Sequence, residues 1–445
     1  MKLLGPSLLQ LLCVVIFPIA VLAADVVVDS STLLGFGSRD ISGTSKETLI
    51  PATQFLGVTA DKLADGNLSL HFYGWGRTDM ADKSYNSETS TGSLTYGYFQ
   101  YRFNQANANV RAGRFFIHEG IVNEQIDGVS FRTDLPAGFG LSAFGGATVH
   151  TTHLKNETSD GKGSTLYGGR ANYRYKGLLD VGVSGVYESD APTLTSTAYS
   201  APAYNYGGYR RVGGDIWLTP VKAIDFIGHS SYNPETHQIA EHNYLPNYKP
   251  TQHLVLTGEF NQYHEKSFLY AWTMFSAANL NSSDKSSSTG VSASYEINKN
   301  LEVTGDYKHY SREFGSADRM GGEVRVKYKD NSVRGGFGYH YLNADEGFAI
   351  TPYTSASYHE LRCFAMLDTK SYFAAVDLLG DFFKEKIYNQ NSVWETTATV
   401  GYHFTPALAL SGDLSYGRNP QFTEEAKALL RLTYTMTYTG TGGKK

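Results

Sequence analysis

Cysteine is almost absent from this chain: its 445 residues contain two, Cys13 and Cys363. Cys13 lies in an apolar leader, which leaves Cys363 as the one thiol of the mature chain. An internal disulfide, a CxxC metal or redox motif and a CxxCH attachment site are thereby excluded, so the chain cannot carry covalent haem by itself. Long apolar runs are also missing. A membrane-crossing helix needs about 20 consecutive apolar residues, and nothing beyond Ala24 approaches that length. Catalytic signatures are absent too: there is no GxSxG, no HExxH and no glycine-rich phosphate loop. There is no basic patch of the kind nucleic acid requires, and Lys444 and Lys445 are only a polar end. The mature protein is therefore either soluble and exported, or it crosses a membrane as strands.

Residues 1–23 stand apart. Lys2 is their only charge, Leu8 to Ile19 is almost wholly apolar, and Val21-Leu22-Ala23 offers the small or modest residues that signal peptidase reads. This is the pattern of a secretory signal peptide cut after Ala23; the alternative is a retained membrane anchor. Leu12 before Cys13 does not fit a lipoprotein cleavage box. Loss of Lys2 takes the formal net charge from −5 to −6.

What is abundant is Tyr and Gly, 32 and 46 residues, which suit pleated strands and tight turns. Val393 to Gly417 shows the pattern. Trp394, Thr396, Ala398, Val400, Tyr402 and Phe404 alternate with Glu395, Thr397, Thr399, Gly401 and His403. After Thr405 to Ala407, Leu408, Leu410, Gly412, Leu414 and Tyr416 alternate with Ala409, Ser411, Asp413 and Ser415, giving an antiparallel hairpin. From Asn67 to Tyr438 such segments of about ten residues recur, roughly one tilted membrane crossing each. Short connections, such as Lys176-Gly177, His264 to Lys266 and Asn298 to Asn300, fall between longer polar ones, such as His150 to Gly163, Asn233 to Gln252 and Asn279 to Ser288.

Short turns on one side and long loops on the other predict an all-β, transmembrane, antiparallel up-and-down barrel. The count is about 20 strands, within 18 to 22, an even number placing both ends in the periplasm. Residues 24–66 are less regular and read as a periplasmic or luminal segment with at most one strand; residues 67–438 form the barrel and 439–445 a tail.

The aromatics decide which face meets oil. Trp394, Tyr402 and Phe404 flank small Ala398 and Val400, and Tyr295, Tyr307, Tyr328, Tyr341, Tyr416 and Tyr438 also take strand ends, as expected of girdles at two lipid–water boundaries. The other face then encloses water, since about 16 to 18 strands already leave a channel. It carries Arg102, Arg111, Arg170, Arg174, Arg211, Arg325, Arg334 and Arg431, interleaved with Asp180, Asp215, Asp225, Glu259, Glu296, Glu302, Asp306, Glu323 and Glu395. This reads as a charge-balanced wall or, around Arg102, Arg111, Arg170 and Arg174, as a zone attracting anionic solutes. The segment Ile117-His118-Glu119-Gly120-Ile121-Val122-Asn123 is too apolar for an exposed loop. It is a candidate constriction that folds inward, or a contact at the rim. Of the five histidines between His229 and His264, His237 and His242 lie in the longest loop and His229 and His253 on flanking strands; their spacing points to scattered polar residues rather than a metal site.

On the signal peptide and on hairpins such as Tyr295 to Tyr307 and Trp394 to Tyr416, the chain resembles the Gram-negative outer-membrane porin class. It is more faintly similar to the barrels of porin–cytochrome conduits. The first resemblance implies an outer-membrane protein in contact with lipid and lipopolysaccharide, with no catalysis and no cofactor, that passes small hydrophilic solutes by diffusion, as a monomer or a homotrimer. The second implies a sheath around a luminal partner such as a multihaem cytochrome. An outer-membrane hydrolase is the remaining alternative, with no motif to single out a nucleophile. Many such barrels end on an aromatic residue, whereas here Tyr438 is followed by Thr439 to Lys445.

Overall fold

A computed structural model describes residues 24–41, 47–64, 66–81, 90–104, 106–149, 165–189, 208–234, 237–264, 285–312, 315–345, 357–387, 389–418 and 422–439. Residues 1–23, read above as a leader, and nearly all of residues 439–445 lie outside these residues. So do the connections 150–164, 190–207, 265–284 and 346–356. Among the described residues no helix is long and apolar enough to cross a membrane.

The chain begins with β1 (Asp25–Ile41), β2 (Glu47–Leu49), β3 (Pro51–Leu63), β4 (Leu68–Asp79), β5 (Ser90–Phe103), β6 (Ala108–Glu119), β7 (Val122–Asp134) and β8 (Phe139–Thr148). Next come β9 (Thr165–Tyr175), β10 (Leu179–Ser189), β11 (Gly208–Val221), β12 (Ile224–Asn233), β13 (Gln238–Tyr248), β14 (Leu254–His264), β15 (Lys285–Asn298) and β16 (Leu301–Arg312). The last are β17 (Gly315–Tyr328), β18 (Val333–Ala344), β19 (Tyr358–Asp368), β20 (Tyr372–Ile387), β21 (Gln390–Thr405), β22 (Leu408–Arg418) and β23 (Phe422–Tyr438). Each wall strand pairs antiparallel with its neighbours in sequence, and β1 closes the ring by pairing with both β23 and β3. The result is a closed up-and-down barrel of 22 strands, with the short β2 outside the ring on the end of β1.

Several sequence expectations are revised here. The barrel has 22 strands, the upper limit of the expected 18 to 22 rather than the central 20, and it starts at β1 rather than at residue 67. Residues 24–66 hid two full strands because apolar neighbours such as Val26-Val27-Val28 and Leu33-Leu34 mask a period of two. The supposed long loop from Asn233 to Gln252 contains β13, which Pro246 and a polar composition disguise. Of the supposed short turn at His264 to Lys266, residues 265 and 266 lie outside the described residues; among the described ones β14 pairs directly with β15, from His264↔Lys285.

The two faces of the wall differ in kind. One presents apolar side chains to the surroundings: Val183, Val400 and Leu414 are 68%, 65% and 64% exposed in mid-strand. Tyr295, Phe404 and Tyr438 lie exposed on the same face toward strand ends. Such a face is stable only against hydrocarbon, because a soluble protein rarely leaves so large an apolar surface in water. Cys363 is exposed on this face, beside Phe337 and Leu378. The opposite face carries the charges, and it encloses the lumen.

Candidate functional site

The hairpin β6–β7 leaves the wall. Pairing between β5 and β6 stops at Gly97↔Arg114, and pairing between β7 and β8 stops at Ile126↔Thr148, yet β6 and β7 stay paired with each other up to Glu119↔Val122. The departure point is a pair of facing glycines, Gly113 and Gly128. Gly113 has φ 129°, which an L side chain rarely adopts. At Gly128 a Cβ would lie 2.2 Å from the Gly145 carbonyl oxygen and 2.6 Å from Gly146 Cα, so only glycine lets the strands approach there. Where β6 departs, β5 is left with unpaired carbonyls, and hairpin side chains take them: Arg114 Nη1 donates to Leu94 O at 3.1 Å and Gln125 Nε2 donates to Thr95 O.

Beyond the glycines the hairpin crosses the charged face of β8 to β11. Phe115, Ile117, Ile121, Val122 and Ile126 pack on Phe144, Leu166 and Val186, forming a buried apolar cluster in a wall that is otherwise polar. The tip is latched at three points. Ser184 Oγ accepts from the Ile121 amide at 3.0 Å, and Arg211 Nη2 donates to the Ile121 carbonyl at 2.6 Å. Glu119 lies 3.6 Å from Arg132. Ser184 sits in the middle of β10, so the tip lies inside the barrel rather than above it. Phe116 and His118, stacked at 6.1 Å, are exposed on the side of the hairpin away from the wall.

The charged residues picked out from the sequence share this inner face, and most are in ion pairs or hydrogen bonds. Arg170 donates from Nη2 to Asp180 at 2.9 Å and from Nη2 and Nε to Asp215 at 2.5 and 3.0 Å. Arg174 joins Asp180 at 2.9 Å to Asp134 at 3.2 Å, and Arg211 is 3.2 Å from Glu241. Arg111 donates to Gln100 at 2.9 Å, and Arg102 faces it across a cavity of about 320 Å³ that Asn107, Asn109, Arg132 and Asp134 complete. Thr219 donates to Asp225 at 2.7 Å. Across the barrel Glu259 meets Lys308, and Asp306 lies 3.3 Å from Arg319 and 2.9 Å from His340. Glu302 lies 3.7 Å from both Arg325 and Lys327, and Glu323 also pairs with Arg325. Arg334 is 3.8 Å from Asp368 and Arg431 is 3.7 Å from Asp413; Ser415 donates to Glu395. The sequence pattern brings both signs to one face, and the folded wall neutralises them pairwise.

Other features were not foreseen. Two of the five histidines between His229 and His264 lie on opposite faces: His229 is 3.3 Å from Glu241 inside, whereas His242 bonds Ser230 at 2.6 Å outside, on β13 rather than in a loop. Among the described residues no group of His, Cys, Asp or Glu could hold a metal ion. Arg319, His340 and Glu360 form a luminal network, with Glu360 3.2 Å from both Arg319 and His340. Only the pairing register distinguishes these residues from charged residues elsewhere.

No protein-family model matches the chain, and no curated protein does. Solved structures do. The siderophore receptor PirA of Pseudomonas aeruginosa overlaps it with TM-score 0.56 at 10% identity, covering 92% of this chain and 80% of the receptor. The ferric enterobactin receptor PfeA of the same organism gives 0.56 at 8% identity, over 93% and 81%. OccAB2 of Acinetobacter baumannii gives 0.44 at 11%, over 94% and 99%. At these identities the likeness to the two receptors is one of fold, a large closed β-barrel.

Proposed function

We propose that the chain is an outer-membrane channel, exported through its leader, that lets small hydrophilic solutes or ions diffuse through a charge-lined lumen. The reading has the β6–β7 hairpin as its constriction, with Ile117 and Ile121 anchoring it and His118 and Glu119 near its tip. Arg102, Arg111, Arg170, Arg174, Arg211, Asp215, Asp225, Glu259, Glu302, Asp306, Glu323, Arg325, Arg334, Glu395 and Arg431 are its lining. One observation carries it: a 22-strand ring is too wide for side chains to fill, and its own hairpin is folded into that space and fastened there. A narrowed opening with paired charges of both signs favours weak selectivity, because paired groups leave little net potential to sort ions by sign.

Reconstitution in a planar bilayer tests this. Purified protein should give discrete conductance steps with a modest preference for one ion sign. A preparation shown to be folded that gives no steps would overturn the reading.

A further inference from the structure

The inner face of β3, β4 and β5 differs from the rest of the lumen. Elsewhere among the described residues the wall carries ion pairs with scattered rings such as Tyr310, Phe364 and Phe373, but here the rings stack on one another in a row. Phe55 stacks on Tyr73 at 6.3 Å, Tyr73 on Tyr96 at 5.6 Å, and His71 on Tyr98 at 4.9 Å. Tyr96 and Tyr98 are 6.0 Å apart, and Trp75 is the cross-strand partner of Phe55. These rings are half-buried, and they run from near the loop end of the barrel down to mid-depth. At the lower end Tyr98 lies 6.0 Å from Phe115, where the hairpin turns inward. The hairpin then crosses toward β11, away from these strands, so it borders this lane without covering it.

Girdles at the lipid boundaries do not account for these rings, because they share the face of Asp29 and the hairpin rather than that of Leu70 and Phe99. Their polar surroundings carry both signs. Arg111 stands 5.8 Å over the Tyr98 ring, Asp29 lies beside Tyr73 across Gly57, and Arg77 stands half-buried at the outer end. An anion would meet Asp29, and a cation would meet Arg77 and Arg111. A neutral ring with an apolar face and a rim of donors and acceptors suits all of them, since ring faces stack on it while hydroxyls reach Asp29, Arg77 and the tyrosine hydroxyls.

We propose that this aromatic lane is a binding track for neutral saccharides, guiding a sugar chain along β3 to β5 to the constriction. The proposal rests on the channel reading and names the solute class it favours.

The test is block of single-channel current by maltohexaose added on the loop side, with polyethylene glycol of similar size as comparison. The expected result is concentration-dependent interruption by the sugar, weaker by about tenfold in a Tyr73→Ala, Tyr96→Ala variant, as for two stacking rings lost. Tyr96→Phe, which keeps its ring, should retain most of the block. Block by the polymer equal to that by the sugar, or sugar block unchanged in the double variant, would overturn the lane while leaving the channel standing. Steady conductance with no sugar block would do the same. Absence of any conductance from folded protein would instead overturn the channel.

Discussion

Loosening the hairpin tip should change what the barrel conducts. Ile121 is 4% exposed, packed in the cluster under the hairpin, and its backbone is held by Ser184 and Arg211. Truncating a buried isoleucine to alanine costs about 2–5 kcal/mol. The Ser184 bond is a neutral one worth about 0.5–1.5 kcal/mol, and the Arg211 bond is charge-assisted and worth about 1.5–3 kcal/mol. A loss of about 3 kcal/mol in Ile121→Ala would lower the ratio of docked to undocked hairpin by roughly a hundredfold, at 1.4 kcal/mol per decade. Single-channel recording should then show flickering to a higher conductance level. The converse variant, Ile121→Cys with Ser184→Cys in a Cys363→Ser background, should give steady low conductance when oxidised and recover the flicker when reduced. Wild-type-like traces from folded Ile121→Ala, together with no redox effect in the double-cysteine variant, would refute the docked hairpin as the constriction.

Other consequences follow from the same geometry. Gly128→Val should abolish the folded, heat-modifiable band on gels, because its side chain would meet two backbones; Gly412→Ala, where a Cβ meets nothing within 4 Å, should leave it intact. Arg170→Met leaves Asp215 without its ion-pair partner and Asp180 with Arg174 alone, and should destabilise the barrel by about 3–5 kcal/mol in urea unfolding. Arg170→Lys should cost less, since it keeps the charge but loses the fork. Val400→Arg places a cation on the outer face in mid-strand and should cost about 2–4 kcal/mol in lipid vesicles, whereas the same change at Thr397, three residues earlier on the inner face, should cost far less.

The alternation of residues such as Val400 and Leu414 with Thr399 and Asp413 made the barrel legible, because one greasy face per strand leaves few other solutions. Strands were lost where that alternation is blurred. β1 and β3 carry adjacent apolar residues, and β13 carries Pro246 amid polar side chains. The apolar run from Ile117 stood out in the sequence, either as an inward fold or as a rim contact, but its partners did not: Ser184 and Arg211 lie 63 and 90 residues from Ile121, and only the register brings them together. The ion pairs were hidden for the same reason, since Arg170 and Asp215 meet across three strands. Tyr73, Tyr96 and Tyr98 were missed because tyrosine in such a sequence is expected at the lipid boundary, and nothing local marks which face a tyrosine takes.

Everything depends on which face looks into lipid, and single-tryptophan quenching reads that directly. Trp394 belongs to the apolar outer face and Trp217, the register partner of Asp180, to the charged inner one. Variants keeping one tryptophan each, with the others changed to phenylalanine, are reconstituted in vesicles. Brominated lipid should quench Trp394 and spare Trp217, while aqueous iodide should do the reverse. Quenching of Trp217 by lipid and of Trp394 by iodide would contradict the account at its root.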